Sequence, residues 1–127
     1  MKKNIAVIGC GHWGKNLVRN FAELGALAAV CDPNDLLAQL YAEQFNVGNS
    51  SFEEILANTA IEGVVLAVPA PLHAAMGIKA MNSGKHVYVE KPLAMNKVEA
   101  ETMISSADEN NVQLMVGHLL QYHPVYI

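Results

Sequence analysis

The stretch Gly9-Cys10-Gly11-His12-Trp13-Gly14-Lys15-Asn16 carries two overlapping phosphate-binding patterns, and the choice between them decides the fold. Gly9, Gly11 and Gly14 form G-x-G-x-x-G, whereas Gly9, Gly14 and Lys15 form G-x-x-x-x-G-K, a Walker A loop whose final hydroxyl position holds Asn16 instead of Ser or Thr. Asn16 lacks the hydroxyl that ligates Mg²⁺, and Gly11 is required only by the dinucleotide pattern, where a missing side chain lets the backbone approach a pyrophosphate. The flanks agree. Asn4 to Ile8 is an apolar, β-branched run entering the loop, and Trp13, Leu17, Phe21 and Leu24 recur at helical spacing after it. A second strand, Leu27 to Cys31, ends at Asp32, eighteen residues beyond Gly14, which is the spacing expected of an acid that binds ribose.

The remaining chain extends this alternation. Leu36, Leu37, Leu40, Tyr41 and Phe45 predict one face of a second helix, Asn46 to Asn49 a short third strand or loop, and Ser51 with Glu54 a capping box opening a short helix. Ile61 to Val68 reads as a strand covered on both faces and stopped by Pro69 and Pro71. Leu72 to Ser83 reads as a helix closed by Gly84, and His86 to Val89 as a fifth strand running into Glu90, Lys91 and Pro92. Asn96 and Glu99 start a further helix with Ala100, Met103, Ile104 and Ala107 on one face, and Val112 to Gly117 is the sixth strand. Strands alternating with helices imply parallel crossovers, hence an α/β domain. The expected architecture is a Rossmann-type, doubly wound, mostly parallel sheet of order 3-2-1-4-5-6 with helices on both faces, and its ligand crevice lies at the carboxyl ends of the strands.

Composition bounds the partners. With 127 residues, 52% of them apolar and 16% charged, the chain suits one globular domain. A net charge of −4 without a Lys/Arg cluster gives no footprint for nucleic acid or an anionic membrane. The N-terminal Met1-Lys2-Lys3 precedes an apolar run, Ile5 to Gly9, shorter than the roughly 7 to 15 residues of a signal segment, and Pro69, Pro71 and His73 interrupt the uncharged stretch Gly63 to Ile78. The expected location is cytoplasmic, with Cys10 and Cys31 as reduced, small apolar residues.

The amides near Gly14 are expected to hold a pyrophosphate and Asp32 the adenosine ribose. A carboxylate in that place, with no arginine after it, favours NAD over NADP. Glu90 and Lys91 at a strand end point oppositely. A lysine beside a cationic nicotinamide suits proton transfer from an alcohol, and a solvated lysine before a turn proline is the plainer alternative.

Gly9-Cys10-Gly11-His12-Trp13-Gly14, Asp32, Val68-Pro69 with His73, and above all Glu90-Lys91-Pro92-Leu93-Ala94 resemble the Gfo/Idh/MocA oxidoreductases over almost the whole chain. The resemblance implies a nicotinamide enzyme acting on a carbinol carbon of sugars, cyclitols or related compounds. It gives Lys91 the catalytic role, and it places Gly9, Gly11, His12, Trp13, Gly14, Asp32, Val68, Pro69, His73, Glu90 and Lys91 around NAD. The segment His118 to Pro124 is similar to the family's sugar-nucleotide branch, the UDP-N-acetylglucosaminuronate 3-dehydrogenases, so Gln121, Tyr122 and His123 are expected to line a sugar or sugar-nucleotide site. His118 and His123 have no accompanying acid or cysteine cluster, and no metal is expected. The family's second half, which supplies most substrate contacts and the usual homo-oligomer interface, has no counterpart in residues 1–127, so a catalytically incomplete NAD-binding domain is expected. Two other readings stand beside this one: a stand-alone NAD-binding or sensor module without catalysis, and an S-adenosylmethionine methyltransferase. The latter gives no account of Glu90-Lys91-Pro92.

Overall fold

The computed structural model describes residues 3–11, 14–90 and 92–117. Among them are the strands β1 (Ile5–Ile8), β2 (Leu27–Cys31), β3 (Gly48–Asn49), β4 (Gly63–Leu66), β5 (His86–Glu90) and β6 (Leu114–Gly117). The helices are α1 (Gly14–Glu23), α2 (Asp35–Phe45), α3 (Phe52–Ala57), α4 (His73–Asn82) and α5 (Lys97–Asn110), with a 3-10 turn at Ala70–Leu72. The strands form one sheet in the order β3-β2-β1-β4-β5-β6, and each of its pairings is parallel. This is the doubly wound arrangement expected from the sequence.

Strand alternation builds two cores. Ala6 and Ile8 of β1, with Val64 and Leu66 of β4, face a layer that contains Ile55 of α3, Met81 of α4 and Met103 of α5. Val7 and Val65 face the opposite layer, with Leu17 and Val18 of α1 and Ala38 and Ala42 of α2. A strand covered on both sides must be apolar at every position, which is why these segments read as unbroken hydrophobic runs. Burying each such valine or leucine contributes roughly 1.5 to 3 kcal/mol. A register irregularity between Ile5 and Ala6, opposite Leu27 and Ala29, sends both Ala28 and Ala29 to the α3–α5 side.

Helix ends follow local chemistry. Asn34 accepts the Leu37 N–H, and Ser51 and Glu54 form the expected reciprocal capping box. At α5 the Asn96 side chain accepts the Glu99 N–H, while the Glu99 carboxylate accepts the Met95 N–H rather than that of Asn96. Gly84, at φ +84, follows α4 as expected.

The structure corrects two helix faces. Leu36 and Leu40 are exposed at 83% and 58%, whereas Leu37, Tyr41 and Phe45 pack against the core as expected, beside the buried Ala38 and Ala42. On α5 the buried positions are Met103, Ser106 and Ala107, while Ile104 is half exposed beside β6. Among the described residues, no helix is long and apolar enough to cross a membrane.

Candidate cofactor site

The loop leaving β1 is shaped by backbone packing. Gly9 sits at φ +99, in the region that favours glycine, and donates its N–H to the Cys31 carbonyl at 2.7 Å. A Cβ added at Gly9 would collide with the Ala67 carbonyl, and one at Gly14 with the Gly9 carbonyl. At Gly11 an added Cβ meets none of the described residues within 4 Å. Two of the three glycines are therefore required by the protein's own packing, and at the third no described residue crowds the missing side chain. Helix α1 starts at Gly14 with no acidic residue in its first turn, so its chain supplies no carboxylate there to offset the positive end of the helix dipole.

Asp32 follows β2 directly and braces this loop. One carboxylate oxygen accepts the Cys10 N–H at 2.7 Å, and the other accepts the Asn34 N–H at 2.8 Å. An ionised carboxylate offers about four lone-pair sites, so each oxygen retains capacity for a further donor. Asp32 also lines a cavity of about 520 Å³ with Ile8, Cys31, Pro33, Asp35, Asn49, Ser50, Ser51, Phe52, Glu54, Val68, Leu72 and Met76. Phe52, Val68, Leu72 and Met76 make an apolar wall. Asp32, Asp35 and Glu54 put three carboxylates in the lining, which among the described residues contains no Lys or Arg. Glu54 is held below the usual carboxylate range by the Ser51 N–H and then by the Ser51 hydroxyl.

Cys10 is buried, with Sγ 3.9 Å from the Cys31 carbonyl oxygen. Burial, then the charge of Asp32, then Cys31 push its thiol up to about 12, so it is an inert core residue at neutral pH. Cys31 is half-buried and free, and it too is pushed up, first by burial.

The other half of the rim comes from β4 and β5. Val68 stands just beyond β4 and walls the same cavity as Asp32, with Pro69 next to it. Glu90 ends β5, half-buried, in register with Gly117 of β6. His73 departs from its expected place on the cofactor surface. It is 2% exposed, with Nδ1 2.8 Å from the Pro92 carbonyl oxygen and Nε2 2.9 Å from that of Val68. Both nitrogens are thus directed at the main chain. Gly9, Gly11, Gly14, Asp32, Val68 and Glu90 are brought to the carboxyl ends of their strands, as expected. His12, Trp13, Lys91, Gln121, Tyr122 and His123 lie outside the described residues. Among the described residues, no cluster of three or more His, Cys, Asp or Glu could hold a metal ion.

Sequence reading did not single out Asp35, Ser50, Leu72 or Met76 as cavity residues, and it read Ser51 only as a cap. The available signal was position: Ser50 and Ser51 follow β3, and the carboxyl end of any strand in a parallel sheet lies on the ligand rim.

A model of the Gfo/Idh/MocA oxidoreductase family, with its NAD-binding Rossmann fold, matches residues 3–118. The chain belongs to this family. It is 33% identical over 119 residues to the UDP-N-acetylglucosamine 3-dehydrogenase of Acidithiobacillus ferrooxidans, covering 93% of this chain and 37% of that protein. It is equally 33% identical over 128 residues to the scyllo-inositol 2-dehydrogenase (NAD(+)) of Bacillus subtilis, covering 95% and 37%. Among solved structures, the WlbA dehydrogenase of Bordetella pertussis in complex with NADH and UDP-GlcNAcA superposes with a TM-score of 0.84 at 30% identity, covering 92% of this chain and 37% of that one. The chain thus spans a little over a third of the length of these relatives. The residues present fit the family's cofactor: an open glycine backbone, a helix start and a carboxylate with spare acceptor capacity stand beside a half-apolar cavity.

Proposed function

We propose that this chain is the NAD-binding domain of a dehydrogenase acting on a UDP-N-acetylhexosaminuronate or a closely related sugar nucleotide. The observation that carries the cofactor half is the cavity beside Asp32, to which the described residues contribute three carboxylates and no Lys or Arg, near Gly11, where an added Cβ meets none of the described residues within 4 Å. Asp32 suits the hydroxyls of an adenosine ribose and disfavours a 2′-phosphate. At about 4 Å and an effective dielectric of about 20, two unit charges repel by roughly 4 kcal/mol before screening.

A bound nicotinamide would supply the hydride acceptor. The task left to the protein is the proton. Oxidation of a sugar hydroxyl breaks the C–H bond, with its electron pair leaving as hydride, and the O–H bond, whose proton goes to the amine of Lys91 as the carbonyl forms. Glu90, half-buried at the end of β5, precedes Lys91 in the Glu90-Lys91-Pro92 element that carries the family resemblance.

The sugar-nucleotide assignment draws on the A. ferrooxidans and B. pertussis proteins and on the segment His118 to Pro124, where Gln121, Tyr122 and His123 offer donors and acceptors to hydroxyl, acetamido and carboxylate groups. A substrate panel with NAD tests it. UDP-N-acetylglucosaminuronate is expected to give a higher kcat/KM than free glucose or inositol. Cyclitols giving the higher value would move the assignment to the inositol dehydrogenases, and NAD binding without turnover on any substrate would favour a binding module.

A further inference from the structure

We propose that His73 is a positioning residue for Lys91, acting through the carbonyl of Pro92. The inference rests on the reading of Lys91 as the proton acceptor. His73 opens α4 and is 2% exposed, so its two nitrogens have been removed from water, a cost recovered only through polar partners. Both partners are main-chain acceptors, the Pro92 carbonyl 2.8 Å from Nδ1 and the Val68 carbonyl 2.9 Å from Nε2. A neutral ring donates to one of them, a doubly protonated ring to both. One imidazole therefore spans the segment after β4 and the segment after β5.

The sequence position of Pro92 gives that bridge its meaning. Lys91 is joined covalently to Glu90, which is set by its register with Gly117, and to Pro92, whose ring fixes φ and whose carbonyl faces His73. The strand thus fixes Glu90 and the imidazole faces the Pro92 carbonyl, the residues on either side of Lys91 in the sequence. The ring's other nitrogen lies 2.9 Å from the carbonyl of Val68, a wall of the cavity beside Asp32. Displacing a reacting group by about 1 Å costs on the order of 100-fold in rate.

The test uses the full-length protein, with turnover on UDP-N-acetylglucosaminuronate and NAD, NADH affinity by fluorescence, and the rate at which acetic anhydride labels Lys91, read by mass spectrometry. His73→Phe keeps the ring's bulk and removes its donors. It is expected to lower kcat about 10- to 100-fold with NADH affinity within about threefold, and to change the Lys91 labelling rate by more than about threefold. His73→Gln, which can still donate to one carbonyl, is expected to fall between His73→Phe and the parent, and free imidazole is expected to restore turnover to His73→Gly. A folded His73→Phe with kcat and Lys91 labelling both within about twofold of the parent overturns the inference. If His73→Phe does not fold, His73→Gln decides on the same readouts, and loss of the fold in both assigns the ring a structural role and also overturns it. Lys91→Met separates the two levels. Normal turnover there removes the catalytic reading itself, whereas an inactive Lys91→Met beside a normal His73→Phe removes only the positioning role.

Discussion

Asp32 accepts the Cys10 amide N–H at 2.7 Å, so the acid at the end of β2 is built into the glycine loop at the end of β1. Its substitution is therefore expected to act twice. A hydrogen bond to a charged acceptor contributes about 1.5 to 3 kcal/mol, and Asp32 makes two of them with main-chain donors. Asp32→Ala should lower the melting temperature of the free protein as well as its NAD affinity. Asp32→Asn, whose amide oxygen still accepts one of the two, should lie between. Differential scanning calorimetry checks this, and an unchanged melting temperature in Asp32→Ala would show that the carboxylate does not brace the loop.

The three glycines of the loop should separate into two classes. Gly9→Ala and Gly14→Ala drive a Cβ into main-chain carbonyls and are expected to unfold or strongly destabilise the domain. Gly11→Ala meets no atom of the described residues within 4 Å and should fold normally while weakening NAD binding. Circular dichroism melts paired with NAD titration distinguish the classes. A Gly11→Ala protein with parental NAD affinity would mean that nothing bound approaches that backbone.

Much of this arrangement was legible from residue order, because strands enclosed on both faces write an unbroken apolar run and a parallel sheet places all their carboxyl ends on one rim. Strand β2 matches its expected limits at both ends, between Gly25 and Pro33. Strand β6 starts two residues later than expected, since Asn111 turns left-handed at φ 56 and the Val112 N–H returns to the Ala107 carbonyl to close α5. On α2 the expected Leu37, Tyr41 and Phe45 do pack on the core, but Leu36 and Leu40 face solvent and the buried positions are Ala38 and Ala42, alanines that weigh little in a periodicity count. His73 was misplaced for a different reason. A histidine following two prolines at a strand end has the same sequence signature whether its ring faces a ligand or a carbonyl, and only three-dimensional contact separates the two.

A buried lysine ties the opposite end of the sheet. Lys85 is 4% exposed and donates from Nζ to the carbonyls of Asn58 and Ile61, both at 2.6 Å. Lys85→Met would leave both acceptors without this donor, at about 1 to 3 kcal/mol each, and should lower stability by an amount visible in urea titration. Burial holds the Lys85 ammonium below the usual lysine value of 10.5. Between the folded and unfolded pKa values the unfolded chain binds more protons, so stability rises with pH across that alkaline window. The parent should gain stability relative to Lys85→Met as pH climbs through it. A flat difference would remove burial as the cause.

Cys10 should resist iodoacetamide in the native protein at pH 8, since burial and the neighbouring Asp32 charge keep its thiol protonated. Peptide mapping after a timed alkylation reads this directly. Labelling of Cys10 at the rate of a free thiol would show that the loop opens far more readily than its packing implies.

The central claim is that the rim beside Asp32 receives the adenosine half of NAD. Isothermal titration calorimetry of the protein with NAD and with NADP tests it most directly, because the two ligands differ only at the ribose position assigned to Asp32. NAD is expected to bind at a single site about tenfold or more tightly than NADP, corresponding to about 1.4 kcal/mol, with a narrowed gap in Asp32→Ala. Equal affinities for the two dinucleotides, or tighter binding of NADP, would contradict it.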